Sequence, residues 1–273
     1  MPETSFYDAI HAEPIDLLRA GLLFAREIAY PDLSVEAFVE QVDYLAESAG
    51  AFISPHQSVL EQAESLSDYL FTLEGFRGNV QEYHDPRNSY LNEVLERRLG
   101  IPISLSVIYL ALASRLGIPA QGIGLPGHFV IRIDTGENDY FLDPFHGGTR
   151  LSLEDCALLV RQSTNYEGPF QTEWLQPISA HAILTRMLNN LRNIFFRDET
   201  WEQAQAVIEH LRMIQPEMPE LIRDTGWIYH RRGSLRLAVQ SYEQYLGRVP
   251  NAPDAEIVRS YLQAAAHSLA MIN

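Results

Sequence analysis

Cysteine is nearly absent from this sequence, since Cys156 is the single cysteine among 273 residues. One thiol cannot form an intramolecular disulfide or supply the several thiolates of a structural zinc site. This usage is typical of a reducing compartment, so we expect a cytoplasmic location. Cys156 follows Glu154 and Asp155, whose negative charges raise the pKa of a nearby thiol. We therefore expect a packed side chain at this position, not a nucleophile.

Positive charge and long apolar runs are also scarce. Lys and Arg number 20 against 36 Asp and Glu, a formal net charge of −16, which repels nucleic acid phosphates and anionic lipid headgroups. The longest apolar run, 105–112, contains Ser106 and is far too short to span a membrane. Residues 1–5 have neither the basic nor the apolar segment of a secretory signal. We expect no nucleic acid partner and no membrane insertion.

Residues 1–82 have a helical pattern and are predicted to form an N-terminal helical layer. Apolar residues recur at helical spacing from Ile15 onward. Ser34 is positioned to cap one helix, and Ser58 with Glu61 has the spacing of a capping box that opens another. The simplest role for this layer is to cover a later core.

Residues 83–176 are predicted to form an α+β core. The stretch that follows Ser104 is apolar on nearly every face, which is typical of a helix buried on all sides. Residues 128–134 then alternate between apolar and polar, as in a half-buried strand, and a turn leads into a second strand at 140–143. The pattern predicts a buried helix that packs on an antiparallel sheet.

Residues 177–273 are predicted to be helical, with an internal repeat. Pro216 and Pro250 lie 34 residues apart, which is the tetratricopeptide period. Gly226, Ala238 and Tyr242 fit the repeat pattern of the second unit. Two units are fewer than such arrays need to be stable alone, so we expect the helices to pack on the core or on a partner.

Three polar residues of the predicted core have the order of a papain-like or transglutaminase-like catalytic site. Ser104 lies at the start of the buried helix, His128 at the start of one strand, and Asp143 at the end of the next. In such sites a helix N-terminus activates the nucleophile, the His moves the proton, and the carboxylate orients the imidazole. Structural roles remain open for each residue. Ser104 can be an N-cap, His128 can anchor a turn, and Asp143 before Pro144 can form one.

Histidines of the predicted core offer possible metal ligands. His84, Asp85, His128 and His146 could be assembled into a site, but no metal-binding spacing such as HExxH is present. The sequence therefore predicts no metal and no cofactor.

Three long motifs resemble those of one family. They are residues 88–106 (NSYLNEVLERRLGIPISLS), 124–132 (GLPGHFVIR) and 142–145 (LDPF). Together they resemble the bacterial SirB-type family of transglutaminase-like proteins with C-terminal tetratricopeptide repeats, over nearly the whole chain. The resemblance implies a papain-like, transglutaminase-like core, with His128 and Asp143 at the catalytic His and Asp positions. Active members of the superfamily carry a Cys near the position of Ser104.

Two functions are compatible with these residues. In the first, the chain is a pseudoenzyme that binds a protein or peptide through its remnant cleft and repeat helices, as an interaction or assembly factor. The missing thiol favours this function, because a helix N-terminus activates a thiol far more readily than a hydroxyl. In the second, Ser104, His128 and Asp143 form an amide hydrolase or acyltransferase that acts on a protein or peptide. A bond between Ser104 and His128 in an open cleft would favour the second.

Overall fold

The computed structural model describes residues 4–272. Residues 1–3 of the segment 1–5, which was compared with a secretory signal, therefore lie outside the described residues. The chain divides into two compact units, residues 1–187 and 188–273. The predicted division into 1–82, 83–176 and 177–273 stays a prediction, because compactness does not show which segments fold independently. Within residues 4–272, the structure has no helix with the length and apolar character needed to cross a membrane.

The first unit begins with four helices, and two of them start directly after the predicted capping residues Ser34 and Ser58. Ser34 accepts a hydrogen bond from the Ala37 amide at 3.4 Å, and Ser58 forms a capping box with Glu61. Both predicted caps are confirmed. The elements are α1 (Phe6–Ile10), α2 (Leu17–Ile28), α3 (Val35–Phe52) and α4 (Val59–Ser67).

Two short parallel strands and a seven-residue helix lead to the central helix. They are β1 (Arg77–Gly78), α5 (Leu91–Arg97) and β2 (Leu99–Gly100), and β1 pairs with β2. Helix α5 ends at Arg97, because Arg98 takes the left-handed conformation (φ 60°) that terminates the helix, and Gly100 lies in β2. Gly100 is needed there for space, since a Cβ would lie 2.8 Å from the Ser104 hydroxyl.

The central helix α6 (Pro102–Arg115) begins with proline at its first position, where a missing amide is tolerated. Val107, Ile108 and Leu112 are buried, as predicted. Residues 102–109 are all buried, whereas Leu110 and Ala111 are half-buried and the last two residues of the helix are exposed. Most of the helix surface therefore gains hydrophobic stabilisation, which explains its lack of a polar stripe. It contacts strands of the following sheet.

That sheet has four antiparallel strands in the order of the sequence: β3 (Ala120–Ile123), β4 (Val130–Asp134), β5 (Asp139–Asp143) and β6 (Thr149–Leu151). The predicted hairpin is confirmed, but β4 begins at Val130 and not at His128. His128 lies in a turn in which its amide donates to the Leu125 carbonyl at 3.2 Å and Gly127 has a φ of 71°. Because β4 and β5 are antiparallel, the start of β4 lies beside the end of β5.

Helix α7 (Leu153–Thr164) covers part of the sheet and begins at a capping box formed by Ser152 and Asp155. Cys156 of this helix is fully buried in an apolar cluster with Ile123 and Val130. Its expected role as a packed residue is confirmed.

The remaining elements are helices, and the boundary between the two units falls within the first of them. They are α8 (Ala180–Arg197), α9 (Trp201–Ile214), α10 (Pro219–Arg231), α11 (Leu235–Arg248) and α12 (Ala255–Ile272). In the second unit α10 packs on α11 and α11 packs on α12. Gly226 faces Tyr242 so closely that a Cβ would lie 2.8 Å from the tyrosine ring. The repeat's small residue is therefore required by helix packing.

Candidate functional site

A histidine and an aspartate meet where strands β4 and β5 adjoin. His128 Nε2 lies 2.9 Å from Asp143 Oδ2, and both side chains are buried. His128 comes two residues before β4, and Asp143 is the last residue of β5. The predicted proximity of these two side chains is confirmed, and its cause is the antiparallel register that brings the two strand ends together.

Asp143 is held in place by further hydrogen bonds. Its Oδ1 accepts from the Phe145 amide at 3.0 Å, and its Oδ2 also lies 2.7 Å from His146 Nδ1. Burial raises the pKa of Asp143, but the hydrogen bonds and charges of His128 and His146 outweigh burial and hold the pKa below its ordinary value. The carboxylate is therefore ionised and shared by two imidazoles.

The main chain at His128 is fixed by Arg186, from a distant part of the sequence. Arg186 Nη2 donates to the carbonyls of Leu125 at 2.9 Å and His128 at 2.8 Å. Its guanidinium lies 5.7 Å from the ring centre of Phe129. Burial lowers the pKa of Arg186. The half-buried guanidinium of Arg186, which donates to two carbonyls, holds the turn that carries the imidazole.

Aromatic side chains surround the imidazole. Phe145 meets His128 edge to face with ring centres 6.3 Å apart, and Tyr83 meets Phe145 in the same manner at 5.9 Å. The rings of His128 and His146 are nearly parallel, with centres 6.0 Å apart. Phe145 and His146 therefore lie beside the imidazole of His128, and Tyr83 packs against Phe145.

Ser104 does not join this pair. It is fully buried as the third residue of α6, and its hydroxyl lies 2.6 Å from the Asn88 carbonyl oxygen and accepts from the Ile101 amide at 3.0 Å. Within residues 4–272 no hydrogen bond connects Ser104 to His128. The N-cap interpretation was wrong as well, because the helix begins at Pro102 and the cap residue is Ile101.

Of the remaining candidate residues, Cys156 and Asp85 do not bond to His128 or Asp143, whereas His146 does bond to Asp143. Burial, with Asp155 and Asp143 nearby, raises the pKa of Cys156 to about 12, which leaves the thiol protonated. Asp85 is paired with Arg87 at 2.7 Å and is not available to a histidine cluster. The sequence grouped His146 with His84, Asp85 and His128, and it did not predict the contact between His146 and Asp143. The spacing Asp143-x-x-His146 was the signal that could have found it.

Comparison with known proteins now decides the family. Residues 36–189 match the family model described as the transglutaminase-like superfamily, and residues 191–263 match a tetratricopeptide repeat model. The chain belongs to the transglutaminase-like superfamily. The first match covers more than half of the chain and includes all three predicted site residues, Ser104, His128 and Asp143.

Two relatives resemble this transglutaminase-like chain over most of its length. A UPF0162 protein of Xylella fastidiosa is 34% identical over 253 residues, which is 92% of this chain and 90% of the relative. Protein SirB1 of Salmonella typhimurium is 26% identical over 248 residues, 90% of this chain and 92% of SirB1. The SirB-type family predicted from the motifs is confirmed.

Among solved structures, a crystal structure of menin is similar with a TM-score of 0.45 and 11% identity, over 96% of this chain and 68% of menin. This likeness is too weak to support a conclusion about fold. The transglutaminase-like fold is supported by the family match and by the antiparallel sheet next to a buried helix.

Proposed function

We propose that this chain is a non-catalytic protein that binds a polypeptide partner, as an interaction or assembly factor. The observation that carries the proposal is the buried hydroxyl of Ser104, which donates to the Asn88 carbonyl and not to His128. A nucleophilic serine needs an aligned base within hydrogen-bond reach. Among residues 4–272, His128 and Asp143 keep their mutual bond but have no hydroxyl or thiol bonded to the imidazole.

The second unit supports a binding role because it contains an open aromatic cavity. The cavity has a volume of about 540 Å³, which is sufficient for several side chains of a peptide. Trp227 and Tyr261 meet edge to face with ring centres 4.5 Å apart, and Arg231 pairs with Glu199 and lies over Trp201. The lining residues are Glu199, Trp201, Trp227, His230, Arg231 and Tyr261.

Residues of this kind are the ones that dominate protein interfaces. Trp, Tyr and Arg are enriched at positions where truncation weakens binding most. The net charge of −16 opposes binding to nucleic acid, and the aromatic and arginine lining of the cavity favours a polypeptide as the partner. We also propose that the protein acts in the cytoplasm, since its single cysteine suits a reducing compartment.

Capture of the partner from the native cell tests this function. The full chain is immobilised and the captured proteins are quantified by mass spectrometry, for the wild type, Trp227→Ala and Arg231→Glu. Leu237→Ala is the matched control, because Leu237 is an exposed apolar residue of the same unit outside the cavity. We expect the partner to be reduced about tenfold or more by either cavity variant and retained by the control. Equal capture by all variants would remove the cavity from the function.

The alternative is a Ser-His-Asp amide hydrolase or acyltransferase that acts on a protein or peptide, and the intact bond between His128 and Asp143 favours it. A fluorophosphonate probe distinguishes the two functions, because it reacts covalently with activated serines. We expect no adduct on Ser104 of the native chain. An adduct that is lost in both Ser104→Ala and His128→Ala would establish the enzyme and refute the non-catalytic proposal.

A further inference from the structure

Three side chains of the first unit converge on one point. Asp143 Oδ2 lies 2.9 Å from His128 Nε2 and 2.7 Å from His146 Nδ1. The three atoms lie within 4.8 Å of one another. Two imidazole nitrogens and a carboxylate oxygen are donors that zinc and related ions prefer.

Two of the three separations, those from Asp143 Oδ2 to the two imidazole nitrogens, are close to those of a metal site. Zinc binds histidine nitrogen and carboxylate oxygen at about 2.0–2.2 Å, so adjacent ligand atoms in a tetrahedral site are roughly 3.3 Å apart. The observed separations of 2.9 and 2.7 Å need only a small increase to admit an ion. To bind an ion, the two nitrogens that now donate to Asp143 must lose their protons, and the single proton of each neutral imidazole would move to the other ring nitrogen.

The surroundings favour a fixed site with one open side. Asp143 is fully buried and His128 is 7% exposed, whereas the side chain of His146 is 55% exposed. An ion can therefore enter from the side of His146, and three protein ligands leave a fourth position for water. The Phe145 amide holds Asp143 Oδ1 and Arg186 holds the His128 carbonyl. Such outer contacts orient ligands and strengthen metal binding.

We propose that His128, Asp143 and His146 bind a divalent transition metal ion of the zinc type. Mg²⁺ and Ca²⁺ are disfavoured, because these ions prefer sites made of oxygen ligands. This site is independent of the proposed partner binding, because it does not use the aromatic cavity of the second unit.

Titration of the full-length, tag-free chain with Zn²⁺ tests the site. The chain is first treated with a chelator, and binding is measured by calorimetry and by the rise in melting temperature. Co²⁺ provides a second probe, because its absorption spectrum reports coordination geometry. Mg²⁺ is the negative control. We expect one Zn²⁺ per chain and a higher melting temperature for the wild type.

Variants identify the ligands. His146→Ala should weaken Zn²⁺ binding by more than about 100-fold, since even loss of an outer-shell partner costs roughly 10- to 100-fold. His56→Ala is the matched control, because His56 is an exposed histidine of the same unit outside the cluster. If His146→Ala does not fold, His146→Gln replaces it, because a Gln amide can still donate to Asp143. Absence of Zn²⁺ binding in the wild type, or equal binding in the wild type and the His146 variant, would overturn the proposal.

Discussion

Replacement of Ser104 by alanine distinguishes a structural serine from a nucleophile. The hydroxyl accepts from the Ile101 amide at 3.0 Å and lies 2.6 Å from the Asn88 carbonyl oxygen, in a fully buried position. Its removal leaves one donor and one acceptor unsatisfied, and each buried unsatisfied group costs about 1–3 kcal/mol. We expect the free energy of unfolding to fall by about 2–4 kcal/mol. A unit of this size would then melt at a temperature lower by roughly 5–12 °C.

Ser106→Ala is the matched control because Ser106 is equally buried on the same helix. Its hydroxyl donates at 2.7 Å to the carbonyl of Pro102, which the helix already satisfies. Loss of that bond leaves no orphaned group, so we expect a change below about 1 kcal/mol. Scanning calorimetry and urea unfolding measure both variants. If Ser104→Ala were as stable as wild type to within about 0.5 kcal/mol, a range typical of neutral surface changes, the structural role assigned to Ser104 would be wrong.

Three further outcomes can be measured. Because burial raises the pKa of Cys156 to about 12, its thiol should react with Ellman's reagent at neutral pH only after denaturation, and rapid labelling of the native chain would contradict its burial. Because the thiol pKa is higher in the folded chain than in the unfolded chain, the buried protonated thiol contributes stability below about pH 9, and this stability is lost as the pH rises toward 12. Gly226→Ala should destabilise the second unit by about 1–3 kcal/mol, because its Cβ would lie 2.8 Å from Tyr242, whereas Gly247→Ala has open space and should be neutral or stabilising in thermal circular dichroism. Arg186→Met removes two donors to buried carbonyls and should lower the free energy of urea unfolding by about 2–4 kcal/mol, and an unchanged value would contradict the proposed anchoring.

Local chemistry made much of the fold predictable. Ser34 and Ser58 act within three residues of their partners, so the caps could be identified from spacing alone. The burial of Val107 and Leu112 followed from a helix without a polar face. The contact between His128 and Asp143 was predictable, because two antiparallel strands joined by a short turn place the start of the first strand beside the end of the second.

Two features of the site could not be predicted, because contacts between residues distant in sequence decide them. The sequence left an N-cap role and a nucleophilic role open for Ser104, but its hydroxyl is bound to the carbonyl of Asn88, 16 residues earlier in the chain. Arg186 lies 58 residues from the His128 carbonyl that it holds, and nothing local marks it. The sequence alone therefore determined the helices, the caps, the hairpin and the family. Tertiary structure decided the hydrogen-bond partners of Ser104 and the contact between Arg186 and the His128 turn, because partners distant in sequence are brought together by packing and not by local spacing.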